Sequence, residues 1–444
     1  MKNLLKTQPK GLYLLFAVEM WERFSYYGMR ALLILYLIQY LFGNLSKETA
    51  TQNAGCIYGW YTGLVYLTPL IGGYLADRIF GQRKCITAGM IIMSLGLFVL
   101  SISGINLLIE YSFGIFMVGL FLMIIANGFI KSNISTIVGL LYGDDKQNRD
   151  LGFTIFYMGI NLGSLFSPLI CGTIASLYGF KYGFITAGFG ALIGLLTYKL
   201  GEDKFLLDFG KYPHKQNNTN ISKNNILTYD EKRRILVLFI LMFFSIIFWL
   251  CYEQAGCSMA LFAENETNRI VYIFNTYIKI PSQYFQSLNP FFILILAPIV
   301  SCFWTYLNNK NKEPNSIVKF TWALFLIGIS FLVMSIGGYY SHEHLVSPLW
   351  LIVAFFIATV AELCISPIGL SLVTKLAPVN FASLMMGCWF LSSFIGNLSA
   401  GTFAGYYEKI HHSLFFLFLA CVSLFFSCLL FFITPFLKKW IRNC

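Results

Sequence analysis

Apolar positions fall in twelve blocks, each long enough to cross a bilayer at about 20 residues. They run over 11–41, 53–76, 85–103, 112–140, 151–175 and 181–199, then 234–262, 285–307, 317–338, 348–376, 380–406 and 413–437. The polar breaks between blocks are short, with one exception. Residues 201–233 are polar and contain Lys211-Tyr-Pro-His-Lys-Gln-Asn-Asn-Thr-Asn220. That stretch is too short and too polar to hide further spans. It predicts a cytoplasmic linker between an N-terminal bundle over 1–200 and a C-terminal bundle over 234–444. The expected fold is an all-α membrane protein, with twelve transmembrane helices in two six-helix bundles. The third and fourth blocks should turn near Ser103-Gly104-Ile105-Asn106, and the outer loop over 264–282 is expected to carry a short amphipathic turn.

The first block breaks its own pattern. Glu19, Glu22, Arg23 and Arg30 interrupt a run that otherwise reads as membrane. A charge at the centre of a lipid-embedded helix costs about 2.5–3.5 kcal/mol, so four facing lipid would cost on the order of 10 kcal/mol. At about 100° per residue, Glu22, Arg23, Tyr26, Tyr27 and Arg30 all fall within roughly 80° of Glu19. One polar stripe on one helix predicts the wall of a water-filled cavity or a charge-paired bundle interior.

Composition agrees with the blocks. The chain of 444 residues is 57% hydrophobic and 11% charged, with a mean hydropathy of +0.69, against about 25% charged for a soluble protein. The first block is too long and too charged for a cleaved signal peptide, so it is expected to remain as the first membrane helix. The net charge of +11 would otherwise suggest a nucleic-acid partner, but topology accounts for it. Lys2, Lys6, Lys10, Arg78, Arg83, Lys84, Lys146, Arg149, the 199–234 stretch, Lys310, Lys312, Lys319, Lys375, Lys438, Lys439 and Arg442 all fall on one side of twelve spans. The opposite side carries only Lys47, Lys181, Arg269, Lys279 and Lys409. This positive-inside pattern predicts that both termini are cytoplasmic.

Few groups within the blocks can do chemistry. Beyond the first stripe they are Lys131, Glu253 and Glu362, with the neutral Asn161 and Asn289. His214, His342, His344, His411 and His412 are all placed in loops. If protons cross, carboxylates must carry them, which leaves Glu19, Glu22, Glu253 and Glu362. Lys131 is read as cavity-facing, with snorkelling as the alternative. Asn161 and Asn289 suit an interhelical hydrogen bond as well as they suit a ligand. Pro367 is expected to bend the helix that carries Glu362. The scattered cysteines, among them Cys85, Cys171, Cys251, Cys302, Cys364, Cys388 and Cys428, read as small core residues. No metal site is expected. Gly159, Gly163, Gly188, Gly190 and Gly194 read as close helix–helix packing. The chain has no Walker loop, Rossmann fingerprint, HExxH or nucleophile elbow, so an enzyme is not expected.

Seven motifs point further. Gly72-Gly73-x-x-Ala76-Asp77-Arg78-x-x-Gly81 resembles the helix 2–3 signature of the major facilitator superfamily, and by its apposed charges it reads as a structural latch. Glu19-x-x-Glu22-Arg23-Phe24-x-Tyr26-Tyr27-Gly28 resembles the hallmark of the proton-dependent oligopeptide transporters within that superfamily. Phe156-Tyr157-x-x-Ile160-Asn161-x-Gly163-Ser164, Phe248-Trp249-x-x-Tyr252-Glu253-Gln254, Ser287-Leu288-Asn289-Pro290, Glu362-Leu363-x-x-Ser366-Pro367 and Met385-Met386-Gly387-x-Trp389-Phe390-Leu391 match the same family in order. Seven motifs in sequence cover nearly the whole chain.

The resemblance implies a major facilitator fold and symport of di- and tripeptides with protons by alternating access, with no cofactor beyond the coupling proton. It implies that Arg23, Arg30 and Lys131 receive the peptide carboxylate, and that Asn161, Asn289 and Glu362 hold the amino group. Tyr26, Tyr27, Tyr66 and Trp389 would line side-chain pockets. Glu19 and Glu22 would couple protons, with Glu253 and Glu362 as further carriers. Arg30 with Glu253, and Lys131 with Glu362, would form gating pairs. The expected partners are the peptide, protons and the lipid bilayer, with no nucleic acid; a monomer in a bacterial inner membrane is expected. Two departures stand out: the linker leaves no room for the two extra helices of many bacterial members, and the helix 2 histidine of mammalian members is absent. The alternatives are a same-fold proton-coupled carrier of another small zwitterion or anion, such as an amino acid or nitrate, a drug exporter, or a peptide-sensing receptor.

Overall fold

The computed structural model describes residues 8–105, 110–143, 145–213, 228–273, 276–378 and 381–441. Each predicted block holds one long helix. We label them α1 Lys10–Tyr36, α2 Lys47–Leu75, α3 Gln82–Ile102, α4 Ser112–Leu140, α5 Lys146–Tyr178 and α6 Phe180–Phe205. The second half has α7 Tyr229–Asn265, α8 Ser282–Asn309, α9 Ser316–Tyr340, α10 Leu349–Leu376, α11 Ala382–Ala404 and α12 His412–Ile441. Among the described residues, ten of these helices, α3 to α12, are long and apolar enough to cross a membrane. The charges of the first stripe lie on α1. The chain is a multi-pass membrane protein.

Local chemistry sets several helix starts. Thr228 and Glu231 form a reciprocal capping box at the start of α7: the Glu231 amide donates to Thr228 Oγ1, and the Thr228 amide donates to a Glu231 carboxylate oxygen 2.8 Å away. Such a box satisfies two amides that the first helical turn leaves without carbonyl partners. Asn315 caps α9 and Asp145 caps α5 in one direction only, each side chain accepting from the amide three residues on. Between α5 and α6 the connection is the single residue Gly179, at φ 102°. Only glycine adopts that backbone at no steric cost, so the tight turn depends on it.

The chain forms two compact units. The first is Met1–Leu41 with Leu64–Asn217, and the second is Phe42–Gly63 with Asn218–Cys444. In the first unit α1 packs on α5 and α6, and α3 packs on α4 and α6. In the second, α9 packs on α10 and α12, and α7 on α11 and α12. Helix α2 is divided between them. Its Phe42–Gly63 side belongs to the second unit, where Gly55 and Gly59 meet Gly401 of α11 backbone to backbone.

Four expectations are corrected. The loop after α7 is a β-hairpin, β1 Ile270–Ile273 antiparallel to β2 Thr276–Lys279, with Tyr272 opposite Tyr277. Its base is tied by Arg269, which donates to the carbonyls of Ile280 and Glu264 and pairs with the Glu264 carboxylate at 2.8 Å. Cys302 and Cys428 are exposed rather than core, whereas Cys85, Cys171, Cys251 and Cys364 are buried. His412 opens α12 instead of lying in a loop. Helix α6 runs through Phe205, five residues into the stretch read as linker. His214, Asn106, Lys2, Lys6 and Arg442 lie outside the described residues.

The α2–α3 turn is tied by contacts other than the charge-to-charge latch read from the motif. Gln82 Nε2 donates to Asp77 at 2.7 Å. Buried Arg83 donates to the carbonyls of Phe209 and Leu207 and reaches Asp203 at 3.2 Å, tying the chain after α6 to the start of α3.

Candidate functional site

In the first unit the charged stripe is drawn inside. Glu22 is fully buried, Glu19 is 3% exposed and Arg23 5%. Arg23 Nε pairs with Glu19 Oε1 at 3.0 Å and also with Glu22 Oε2. One guanidinium therefore serves two acids. Oε2 of Glu19 and Oε1 of Glu22 are buried without a hydrogen-bond partner among the described residues. The Arg23 guanidinium also lies 5.5 Å from the Tyr26 ring, and Arg30 lies 5.8 Å from Tyr27. Tyr26 and Tyr27 meet edge to face at 5.1 Å.

The neighbouring helices are shaped to this stripe. Gly163 of α5 sits where a Cβ would come within 3.1 Å of the Arg23 side chain and would strike the carbonyl of Met20. Glycine lets α5 close on α1 at the level of the charges. Asn161, two residues earlier, is 3% exposed and donates to the Tyr157 carbonyl of its own helix at 2.9 Å. On α4, Lys131 Nζ stands 4.1 Å from the centre of the Tyr66 ring. A cation over an aromatic face is attracted by the ring quadrupole. The first unit thus brings together Glu19, Glu22, Arg23, Tyr26, Tyr27 and Arg30 on one helix, and Tyr66 with Lys131 beside each other.

In the second unit Glu362 of α10 is the centre. Its Oε2 accepts from Asn289 Nδ2 at 2.9 Å and from Tyr252 Oη at 2.5 Å. Asn289 also donates to Thr359 Oγ1 at 3.2 Å, and Thr359 donates in turn to the Phe355 carbonyl at 2.7 Å. A narrow cavity lies beside Tyr252 and Asn289, lined also by Cys251, Met259, Ser330 and Phe355. Glu253 is 3% exposed and starts a 3-10 turn, Glu253–Gly256, that breaks α7 directly after Tyr252. Trp389 is 5% exposed, edge-on to Phe320 at 6.2 Å and pressed on Gly369. Glu362 and Asn289 are therefore joined, with Glu253 next in the chain to Tyr252, the other donor to Glu362.

Sequence reasoning quoted Tyr252 within a motif and gave it no role, and it missed Thr359. The signal for Thr359 was its place three residues before Glu362, one turn along α10. Tyr252 had no local signal, because its contact with Glu362 spans 110 residues of chain.

Among known proteins, the POT family model matches residues 83–229 and 211–420. The di-/tripeptide transporter of Lactococcus lactis subsp. lactis is 34% identical, over 88% of this chain and 89% of its own. The peptide transporter YePEPT of Yersinia enterocolitica is 33% identical, over 90% and 88%. An uncharacterized transporter of Bacillus subtilis, YclF, is 34% identical over 98% and 95%. A crystal structure of a peptide transporter POT with sulfate superposes at TM-score 0.86 and 30% identity, covering 97% of this chain and 96% of that one. Another, of a POT family transporter with 5-aminolevulinic acid, gives 0.86 at 28% identity, covering 97% of both. The twelve helices have the major facilitator fold of these structures, and the chain belongs to the POT family of membrane transporters.

Proposed function

We propose that this protein imports di- and tripeptides together with protons by alternating access. The observation that carries the reading is the buried trio on α1, in which Arg23 pairs with both Glu19 and Glu22. Both acids meet the cation at Nε, while Arg23 Nη2 is buried without a hydrogen-bond partner among the described residues. Protonating one acid releases part of the guanidinium for another carboxylate, here the peptide's C-terminus. Proton loading and substrate binding are then the same event seen from two partners. Arg30 and Lys131 add positive charge for that carboxylate. In the second unit Glu362, oriented by Asn289, is the acid for the peptide's amino group. Asn161 would assist it, while Tyr26, Tyr27, Tyr66 and Trp389 shape the side-chain pockets. Arg30 with Glu253, and Lys131 with Glu362, are the pairs that would open and close with the cycle. Recognition by the two charged ends leaves side chains loosely read, which permits a broad peptide range.

No cofactor is invoked beyond the proton, and no enzymatic step. The positive-inside pattern supports cytoplasmic termini, and the bacterial relatives support an inner-membrane location. A monomer contains every residue named.

The test is uptake of labelled dialanine into proteoliposomes with and without an inward proton gradient. Accumulation only with the gradient is expected. Equal uptake in both conditions would remove proton coupling, and no uptake in either would remove the peptide. One observation favours a second reading: the POT family transporter solved with 5-aminolevulinic acid binds a single molecule bearing an amine and a carboxylate. Competition of dialanine uptake by small zwitterions, and by nitrate, decides between a peptide carrier and a carrier of another small zwitterion or anion.

A further inference from the structure

Tyr252 presents its hydroxyl to Glu362 from α7, and its surroundings hold it there. Its ring stacks on Phe248 at 5.6 Å and 17°, and meets Trp249 edge-on at 5.4 Å and 89°. It is the last residue of the regular part of α7, and the backbone changes to a 3-10 turn at Glu253. Two aromatic neighbours and a helix end leave the phenol little freedom.

The polarity of the network follows from its far end. Thr359 commits its hydroxyl proton to the Phe355 carbonyl, so toward Asn289 it can only accept. The Asn289 amide therefore turns its NH2 to Thr359 and Glu362 together. Both donors, Asn289 Nδ2 and Tyr252 Oη, then converge on the same carboxylate oxygen, Oε2. A phenol hydrogen bond to a carboxylate is charge-assisted and short, about 2.5–2.7 Å, as found here at 2.5 Å. Two fixed donors from two helices on one oxygen set the plane of the carboxyl group.

We propose that Tyr252 is a positioning residue for peptide recognition, acting through Glu362. By holding Oε2 against α7 it fixes how the carboxylate faces a primary ammonium group, and so sets the preference for peptides with a free amino terminus. This rests on the reading that Glu362 receives that group. Without the phenol, Oε2 loses its donor from α7, and the carboxyl is less firmly held in the geometry that suits the ammonium.

The test compares Tyr252→Phe, which keeps the stacked ring, with Glu362→Gln and with the double variant. Transport of dialanine and of its N-acetylated form is measured in proteoliposomes, with Tm recorded for each protein. Tyr252→Phe should raise KM for dialanine about tenfold, the loss of one hydrogen bond to a charged group. kcat should hold, and the acetylated peptide should be unchanged. In the Glu362→Gln background Tyr252→Phe should add nothing. Equal effects on both peptides, additive losses in the double variant, or a lowered Tm with the amine preference intact would each overturn the inference. If Glu362→Gln itself leaves the amine preference untouched, the assignment of Glu362 fails first. If Glu362→Gln abolishes the preference and Tyr252→Phe preserves it, only the role of Tyr252 is lost.

Discussion

Arg23 reaches back one turn of α1 to Glu19, its Nε 3.0 Å from Oε1, while the adjacent Glu22 closes on the same nitrogen. Glu22 is fully buried, and its second oxygen has no hydrogen-bond partner among the described residues. Replacing Glu22 by Gln removes a titrating site but keeps its shape. We expect Glu22→Gln to abolish gradient-driven uptake while exchange of labelled for unlabelled peptide across the vesicle continues. Loss of both activities would make Glu22 a binding or structural residue instead.

Removing the cation has a different consequence. Arg23→Ala leaves two buried acids facing each other without their partner. Breaking a buried pair in this way costs about 3–5 kcal/mol, so a clear fall in Tm in detergent is expected. The loss should be largely recovered in Arg23→Ala combined with Glu19→Gln and Glu22→Gln. For protein that does reconstitute, affinity should fall far more for dialanine than for its C-terminal amide. Equal losses for the two peptides would make Arg23 a structural residue only.

The approach of α5 to α1 should tolerate no side chain at Gly163. A methyl group there would strike the Met20 carbonyl. Overpacking of this kind costs about 1–3 kcal/mol, and here it also pushes on Arg23. Gly163→Ala should lower Tm and raise KM together. Thermal unfolding and uptake on the same preparation check this, and an unchanged KM would separate the packing from the charged site.

A pH effect is expected from the loops of the second unit. Burial raises Glu266 above its ordinary value of 4.5; Glu408 adds to this, and Lys47 opposes it. Burial likewise raises Glu408, opposed by Lys47 and reinforced by Glu48. His412 lies 3.7 Å from Glu266 and stacks on buried Tyr407 at 4.4 Å. A carboxyl whose folded value is raised favours the folded state when protonated. That contribution is complete below about 4.5 and is lost as pH rises through the raised values. Across that range the Tm of the wild-type protein should therefore fall relative to that of the Glu266→Gln, Glu408→Gln double variant, a comparison that isolates the carboxyl contribution. An unchanged slope in that double variant would place the pH dependence elsewhere.

What the chain's pattern made legible was local. Twelve apolar blocks gave twelve helices, because membrane helices satisfy their own backbone and need only a run of suitable length. The α1 stripe was readable because 3.6-residue periodicity puts Glu19, Glu22 and Arg23 on one side. The hairpin was not, since its Ile-Val-Tyr-Ile and Thr-Tyr-Ile-Lys strands hold only when paired and anchored through Arg269. Tyr252 with Glu362, and Gly55 with Gly401, are contacts across more than a hundred residues. No periodicity within one block reports them. Cys302 and Cys428 misled because a thiol in an apolar run is as compatible with a lipid face as with a core.

The division of α2 has a bearing on how this family can exchange parts. A chimera joined at the linker would separate Phe42–Gly63 from the unit it packs in, and Gly55 and Gly59 would meet a foreign α11 in place of Gly401. Recombination between relatives should therefore succeed where the donor of 218–444 also donates 42–63, which makes this short segment a hitchhiker that descends with the distant half of the gene.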